Sequence, residues 1–439
     1  MSLSLNIVAL SKFDPKDILD HKDILNLWNI AGYSAGICYM PEDYFTSEKC
    51  TTENNIKRFR KCVDDGHQSV ADHAWIEIKL TGASKALAMW LNSLKFYVTS
   101  EKSGRYTVMD VDNNELYTEW RKRAEEYFHF RDQNISDASL KKMAQENARM
   151  MLDINAPMTT MAYSATLRQW NIIHDWCLNI RRHWERSYKS IILPVFYTKL
   201  ANELEHLAEC IEKLGVLVDG LVDIKHCFPS GIMPPIPDNE VAFHNNFVLE
   251  NGKLQLSIHD DVMCVKYYAT PAMLAQLQRH RRLSVKMDFT TSHLAHIPTP
   301  LHTVGDDLDA DIALDWNTDI SKLLHQGVIP IGVGVPFTCT GSLADVFTVL
   351  VERCCGCAQQ EIREFACLIR DTFCEQYETI ASELDYDTRL LWSPIVNKYR
   401  KGTKLTRCSI CKCNNPCNWI KKEAINYEAR SSIFKNEGV

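Results

Sequence analysis

"HAWIEIKLTGASKALAMWL" (residues 73–91) and "DVMCVKYYATPAMLAQL" (261–277) carry the same pattern. Each opens with an alternating apolar run of the kind a half-buried strand needs. Each then passes into a helix-forming stretch with small residues at its start. In the second copy Thr270 is placed to cap the helix, and Pro271 sits at its first position, where a missing N–H costs nothing. A shift of 186 residues pairs Ala83 with Ala269, Ala86 with Ala272 and Leu91 with Leu277.

The order downstream matches too: a loop, an apolar segment holding Thr with a Leu-containing helix, then a long amphipathic helix. In the first half these are "NARMMLDINAPMTTMAYSATLRQWNIIHDW" and "HWERSYKSIILPVFYTKLANELEHLAECI"; in the second, "HQGVIPIGVGVPFTCTGSLADVFTVLVE" and "AQQEIREFACLIRDTFCEQYETIASEL". Ile362, Phe365, Ala366, Ile369 and Phe373 mark one buried helical face. Between the halves, "FPSGIMPPIPDNE" (228–240) reads as a linker. The expected organisation is a first domain over 1–220, a linker over 221–240, a second domain over 241–400 and a tail over 401–439.

The 439 residues, 46% apolar and 24% charged, give room for two or three domains with a sizeable core. A net charge of −7 and a pI near 6.1 argue against a general nucleic-acid coat and against a polybasic membrane anchor. The opening "MSLSLNIVALSKFDPKDIL" lacks the pattern of a signal peptide, and no run of apolar residues has the length of a membrane span. A cytoplasmic location is expected, with most of the seventeen cysteines present as reduced, packed thiols.

Two stretches carry chemistry. In "AQLQRHRRLSVKM" (275–287), Gln276, Arg279 and His280 are three and four residues apart and are expected to share the C-terminal end of a helix, with Arg281 and Ser284 following. Guanidiniums beside an imidazole suit a phosphate or carboxylate; the alternative is a solvated cationic helix end. In "TSEKSGRYTVM" (99–109), Ser103 and Gly104 can present a hydroxyl and an approachable N–H, Arg105 a charge and Glu101 an acceptor; the alternative is a surface turn with an incidental ion pair. At the positions matching the first stretch, the first half has Trp90, Ser93 and Leu94; at those matching the second, the second half has "KMDFTTS". Each half lacks what the other has.

This arrangement resembles the flavin-dependent thymidylate synthases, whose signature joins Arg-His-Arg-x-x-Ser to a following Glu-x-Ser-x-Arg-Tyr. Here Arg279, His280, Arg281 and Ser284 match its front and Glu101, Ser103, Arg105 and Tyr106 its back. "GHQSVADH" (66–73) is similar to the family's Gly-His-x-Ser segment, with Asp72 where Glu is usual; "ARMML" (148–152) to its Ala-Arg-x-x-Leu-Pro element, with Asp153 in place of Pro; "AQQEIREFA" (358–366) to its Ala-Gln-x-Glu-Ile-Arg helix. The implied fold is α+β: two tandem copies of an antiparallel sheet flanked by long helices, the second shorter and followed by a Cys-rich tail.

The resemblance implies reductive C5 methylation of dUMP with FAD, NADPH and methylenetetrahydrofolate. It implies Arg363 as the catalytic residue, Gln276, Arg279, Glu101, Ser103, Gly104, Arg105 and Arg149 at the nucleotide, and His67, Ser69, Arg279, His280, Arg281, Glu101 and Arg168 at the flavin. The opposite combination of copies offers only Trp90, Ser93 and Ser187 with Thr291 and Gln326. The family's Asn-Leu-Arg stands as Thr166-Leu167-Arg168 in one half and Ser342-Leu343-Ala344 in the other, so flavin contacts are altered. The family's tetramer implies a homodimer of tandem chains forming a pseudo-tetramer. Alternatives are C5 modification of another pyrimidine nucleotide, hydroxymethylation for example, and a nucleotide-binding relative without catalysis. In the tail, Cys408, Cys411, Cys413 and Cys417 can satisfy a tetrahedral Zn²⁺, although their spacing lacks the gap between two CxxC knuckles; free thiols are the alternative.

Overall fold

The structure, a computed structural model, describes residues 4–9, 19–104, 107–109, 115–131, 133–187, 193–222, 232–233, 254–259, 261–289, 295–296, 307–354, 358–382, 384 and 386–400. Arg105, Tyr106, Thr291 and the tail cysteines lie outside them. The elements run β1 (Ser4–Ala9), α1 (His21–Tyr39), α2 (Thr52–Asp64), β2 (Trp75–Ser84), α3 (Lys85–Ser93), β3 (Tyr97–Glu101), α4 (Glu115–Arg131), α5 (Asp137–Ala148), β4 (Pro157–Thr166), α6 (Leu167–Ser187) and α7 (Val195–Leu214). They continue with β5 (Ile232–Met233), β6 (Gln255–His259), β7 (Val262–Ala269), α8 (Pro271–Leu277), β8 (Ser284–Asp288), β9 (Ala295–His296), α9 (Asp307–His325), β10 (Val333–Ser342), α10 (Leu343–Arg353), α11 (Gln360–Ile380) and α12 (Tyr386–Arg400). Helices and antiparallel sheets are thus mixed throughout, as expected of an α+β chain.

The chain forms two compact units: Met1–Ser103 with Met109–Val111 and Asn155–Ser230, and Gly104–Val108 with Asp112–Ile154 and Gly231–Val439. This differs from a single cut near 220, because residues 112–154 pack with the C-terminal unit.

In the first unit the strand order is β1-β2-β4-β3, every pair antiparallel. Alternation places Ile76, Ile78 and Leu80 of β2 inside at 0% exposure, against Trp75, Glu77 and Lys79 facing outward. The strand runs on through Ser84, where its last residue becomes the cap of α3: Ser84 Oγ accepts from Leu87 N at 2.9 Å. Glu203 of α7 closes this corner, accepting from Ser84 N at 2.7 Å and from Ser84 Oγ.

The second unit repeats the local chemistry. Its sheet runs β5-β8-β10-β7-β6, with β9 on β10, and only the short β5–β8 pair is parallel. Thr270 caps α8 as expected, accepting from Met273 N at 3.2 Å, with Pro271 at the first turn. Glu361 of α11 accepts from Thr270 N at 2.7 Å and from Thr270 Oγ1. The strand-to-helix joints also correspond: Leu167 N donates to Ala74 O, and Leu343 N to Asp261 O, each at 2.7 Å.

Among the described residues, several contacts tie 112–154 into this second unit. Trp120 of α4 meets Trp316 of α9 edge-on at 4.8 Å between ring centroids, and its Nε1 donates to Asp319 Oδ2 at 3.1 Å. Beyond α5, Ile154 N donates to Ile329 O and Ile331 N donates to Leu152 O, both at 2.9 Å, around an antiparallel bridge between Asp153 and Pro330. Gly332 N donates to Met150 O at 2.7 Å. A Cβ on Gly332 would stand 2.7 Å from Met150 Cβ and 2.9 Å from Met150 O, so only glycine permits this approach. Gly332→Ala is therefore expected to destabilise the protein by roughly 1–3 kcal/mol, read as a lower thermal midpoint. An unchanged midpoint would refute the close approach.

Candidate active site

The basic stretch after β7 is arranged differently from the expected helical face. α8 ends at Leu277, and Arg279 and His280 lie in the turns beyond it, held by Arg279 N to Gln276 O at 3.3 Å and His280 N to Leu277 O at 3.0 Å. A seven-residue helix is too short for Gln276, Arg279 and His280 to occupy one face of it. Arg279 and Arg281 are exposed, whereas His280 is partly buried. Arg353 Nε donates to His280 Nε2 at 2.9 Å. Burial and the Arg353 charge push the His280 pKa down to about 4, against the weaker pull of Glu352. His280 is therefore a neutral imidazole with its proton on Nδ1, and adds no positive charge for an anion.

Nearby residues of the same unit do converge. Gln359, the residue preceding α11, is 1% exposed and its Oε1 accepts from Arg149 Nη2 at 2.8 Å and from Gln276 Nε2. Arg149 comes from the turn after α5, Gln276 from α8. Arg363, one turn along α11 from Gln359, is 8% exposed. One compact unit thus holds Arg149 from the first half of the chain together with Gln276 and Arg363 from the second. Sequence reading missed Gln359 and Glu361, although both stand inside the "AQQEIREFA" stretch.

The Glu361 carboxyl is enclosed where it meets Thr270. Burial pushes its pKa up to about 7; the Thr270 hydrogen bonds and the Arg149 charge oppose this and Glu364 reinforces it. Burial likewise raises Glu203 at the corresponding place in the first unit, against the Ser84 hydrogen bonds.

Of the other expected residues, the first unit holds Glu101, Ser103, His67, Ser69 and Arg168. Glu101 ends β3 with its side chain 4% exposed, paired to Lys85 Nζ at 2.5 Å and accepting from Thr159 Oγ1 at 3.3 Å. Ser103 belongs to this unit and Gly104, which is buried, to the other. His67 and Ser69 are exposed around the short turn Gln68–His73. Asp72 joins that turn to the start of α6, accepting from Thr166 Oγ1 at 2.8 Å and from Arg168 Nη1 at 3.1 Å. The Gly-His-x-Ser and Thr-Leu-Arg stretches therefore meet through Asp72.

One equivalence read from sequence changes. Ser187 is the last residue of α6, and the caps instead put Glu203 of α7 in the place of Glu361. Two residues on, Glu205 stands where α11 has Arg363. Glu205 is bound to Arg181 through Nε at 2.6 Å and Nη2 at 3.0 Å. Trp90 of α3 is fully buried, and Ser93 Oγ donates to Trp90 O at 2.6 Å.

Because the Glu361 carboxyl is raised from an ordinary 4.5 to about 7, the folded chain binds that proton more tightly than the unfolded chain. Its contribution to stability is present below pH 4.5 and is lost as pH rises through 7. Glu361→Gln should flatten the fall in thermal midpoint over this window by an amount equivalent to about 3 kcal/mol; an unaltered pH profile would remove Glu361 as its source.

Among the described residues no helix is long and apolar enough to cross a membrane, and no group of His, Cys, Asp and Glu is placed to hold a metal. No curated protein matches the chain by sequence. Among solved structures, thymidylate synthase X (ThyX) from Helicobacter pylori, crystallised with FAD and dUMP, is 15% identical over 51% of this chain and 100% of that one, with a TM-score of 0.27. At that score the likeness carries no argument about arrangement. Residues 26–188 match the family described as thymidylate synthase complementing protein, a span that includes His67, Ser69, Glu101, Arg149 and Arg168. Over that first-half stretch the chain is similar to the thymidylate synthase complementing protein family.

Proposed function

We propose that this protein is a flavin-dependent thymidylate synthase-like enzyme that methylates dUMP at C5, using FAD, NADPH and methylenetetrahydrofolate, at a site assembled from both sequence halves. The observation that carries this reading is the convergence of Arg149 and Gln276 on Gln359, with Arg363 one turn further along the same helix. These residues come from motifs that neither half holds complete.

Two tandem copies of one fold account for the matching strand orders, the paired Glu caps and the reciprocal bonds of residues 152–154 and 329–331. Leu152 and Ile154 precede Ile329 and Ile331 by the same interval of 177, so the bonds interchange when the copies are exchanged. Such self-complementary contact is what a two-fold interface leaves behind when its partners are fused.

The flavin side fits in its donor chemistry. Exposed His67 and Ser69, with Arg168 oriented by Asp72, offer N–H and O–H donors suited to the pyrophosphate of FAD, and Asp72 takes up the hydroxyl of Thr166 where the family has Asn. When bound, the flavin would supply hydride chemistry that no side chain here can perform.

The chain's own part is electrostatic and positional. Arg149 and Arg279 are cationic partners for the nucleotide phosphate, and Gln276 is held in register by Gln359. Arg363, nearly enclosed, would stabilise negative charge on the uracil ring as C5 becomes nucleophilic, and low exposure strengthens that effect. His280 keeps its Nδ1 proton at neutral pH because Arg353 occupies Nε2. Glu101, tied to Lys85, retains further carboxylate lone pairs with which to accept from a ligand hydroxyl. No cysteine is assigned as nucleophile.

An absorbance spectrum under anaerobic conditions tests the reading. Flavin bands that bleach with NADPH, followed by folate-dependent formation of dTMP, are expected. A protein that cannot take up FAD would overturn the flavoenzyme and favour a nucleotide binder. Arg363→Ala should retain the flavin spectrum while lowering kcat by about 10²–10³. Unchanged turnover would remove Arg363 from its role.

A further inference from the structure

We infer that Gln359 is a further substrate-binding residue, its side-chain amide donating to a ring carbonyl oxygen of the bound pyrimidine; this rests on the nucleotide reading above. Arg149 can only donate hydrogen bonds, so the Gln359 atom 2.8 Å from its Nη2 must be the carbonyl oxygen. Gln276 Nε2 donates to the same oxygen. These two donors fix the amide's orientation and leave its nitrogen on the opposite side.

That nitrogen is buried and has no hydrogen-bond partner among the described residues, on a residue only 1% exposed. A buried amide donor without an acceptor is costly, and native proteins rarely keep one without a use. Here it stands beside two residues assigned to the nucleotide and one turn from Arg363. The guanidiniums match a phosphate by charge. A neutral amide N–H matches a neutral carbonyl, the pairing by which Asn and Gln read base edges. The uracil ring offers two such carbonyls.

The test uses the full-length protein and calorimetric titration with two ligands: dUMP, and deoxyribose 5-phosphate, which carries the sugar and phosphate without the base. Gln359→Glu keeps an acceptor for Arg149 and Gln276 but removes the donor. It should weaken dUMP binding about tenfold more than deoxyribose 5-phosphate binding, the excess being the size of one hydrogen bond to a neutral group, because the new carboxylate's effect on Arg149 falls on both ligands alike. Equal weakening of both ligands would show an effect through the Arg149 charge and overturn the inference, as would no change in either. If this variant does not fold, Gln359→Met, neutral and of similar length, is read by the same ratio. Wild-type protein that binds neither ligand defeats the nucleotide reading itself, whereas wild-type binding of dUMP with an unaffected variant defeats only the role of Gln359.

Discussion

A carboxylate from a long helix, gripping the first residue before a short one, is the constraint on which the second unit's site depends. Glu361 satisfies both the N–H and the hydroxyl of Thr270, and so fixes the start of α8 against α11. The helix that provides this grip also carries Arg363 and is preceded by Gln359, which reaches Gln276 on α8 and Arg149 after α5. Positioning by a rigid helix turn keeps donors on separate chain segments within hydrogen-bonding range without relying on a loop. The cost is a buried carboxyl that holds its proton near neutral pH, tolerable because two hydrogen bonds and the Arg149 charge offset burial.

The same grip recurs between Glu203 and Ser84, yet what surrounds it has changed sign. Where α11 continues to Arg363, α7 continues to Glu205, already neutralised by Arg181. Where α8 offers Gln276, α3 offers Trp90, enclosed in the core. A carboxylate and an apolar ring cannot hold an anionic nucleotide, so on the proposed reading the first unit has the same corner without the charge. On this account the first half's contribution to the second unit is Arg149, which residues 112–154 carry there.

Much of this was legible in the sequence, and the failures have physical causes. Alternation identified β2 and β7, and Thr270-Pro271 announced the start of α8, because strands and caps are local. The end of α8 was not local: the chain turns after Leu277 so that Leu283 can enter the core, and the helical spacing of Gln276, Arg279 and His280 did not reveal it. The charge state of His280 depends on Arg353, 73 residues away, which donates to it and which its own stretch does not reveal. Ser187 was placed opposite Arg363 because α6 runs longer than its amphipathic pattern implied, displacing the start of the next helix to Val195. The packing of residues 112–154 with the C-terminal unit rests on Trp120 against Trp316, a contact between distant positions that no periodicity encodes.

The central claim is that two copies build one nucleotide site per chain, the other having been emptied by Glu205 and Trp90. Calorimetric titration of the flavin-loaded protein with dUMP measures this directly. The account predicts saturation at one nucleotide per chain with a single affinity. Two equivalent sites per chain would contradict it.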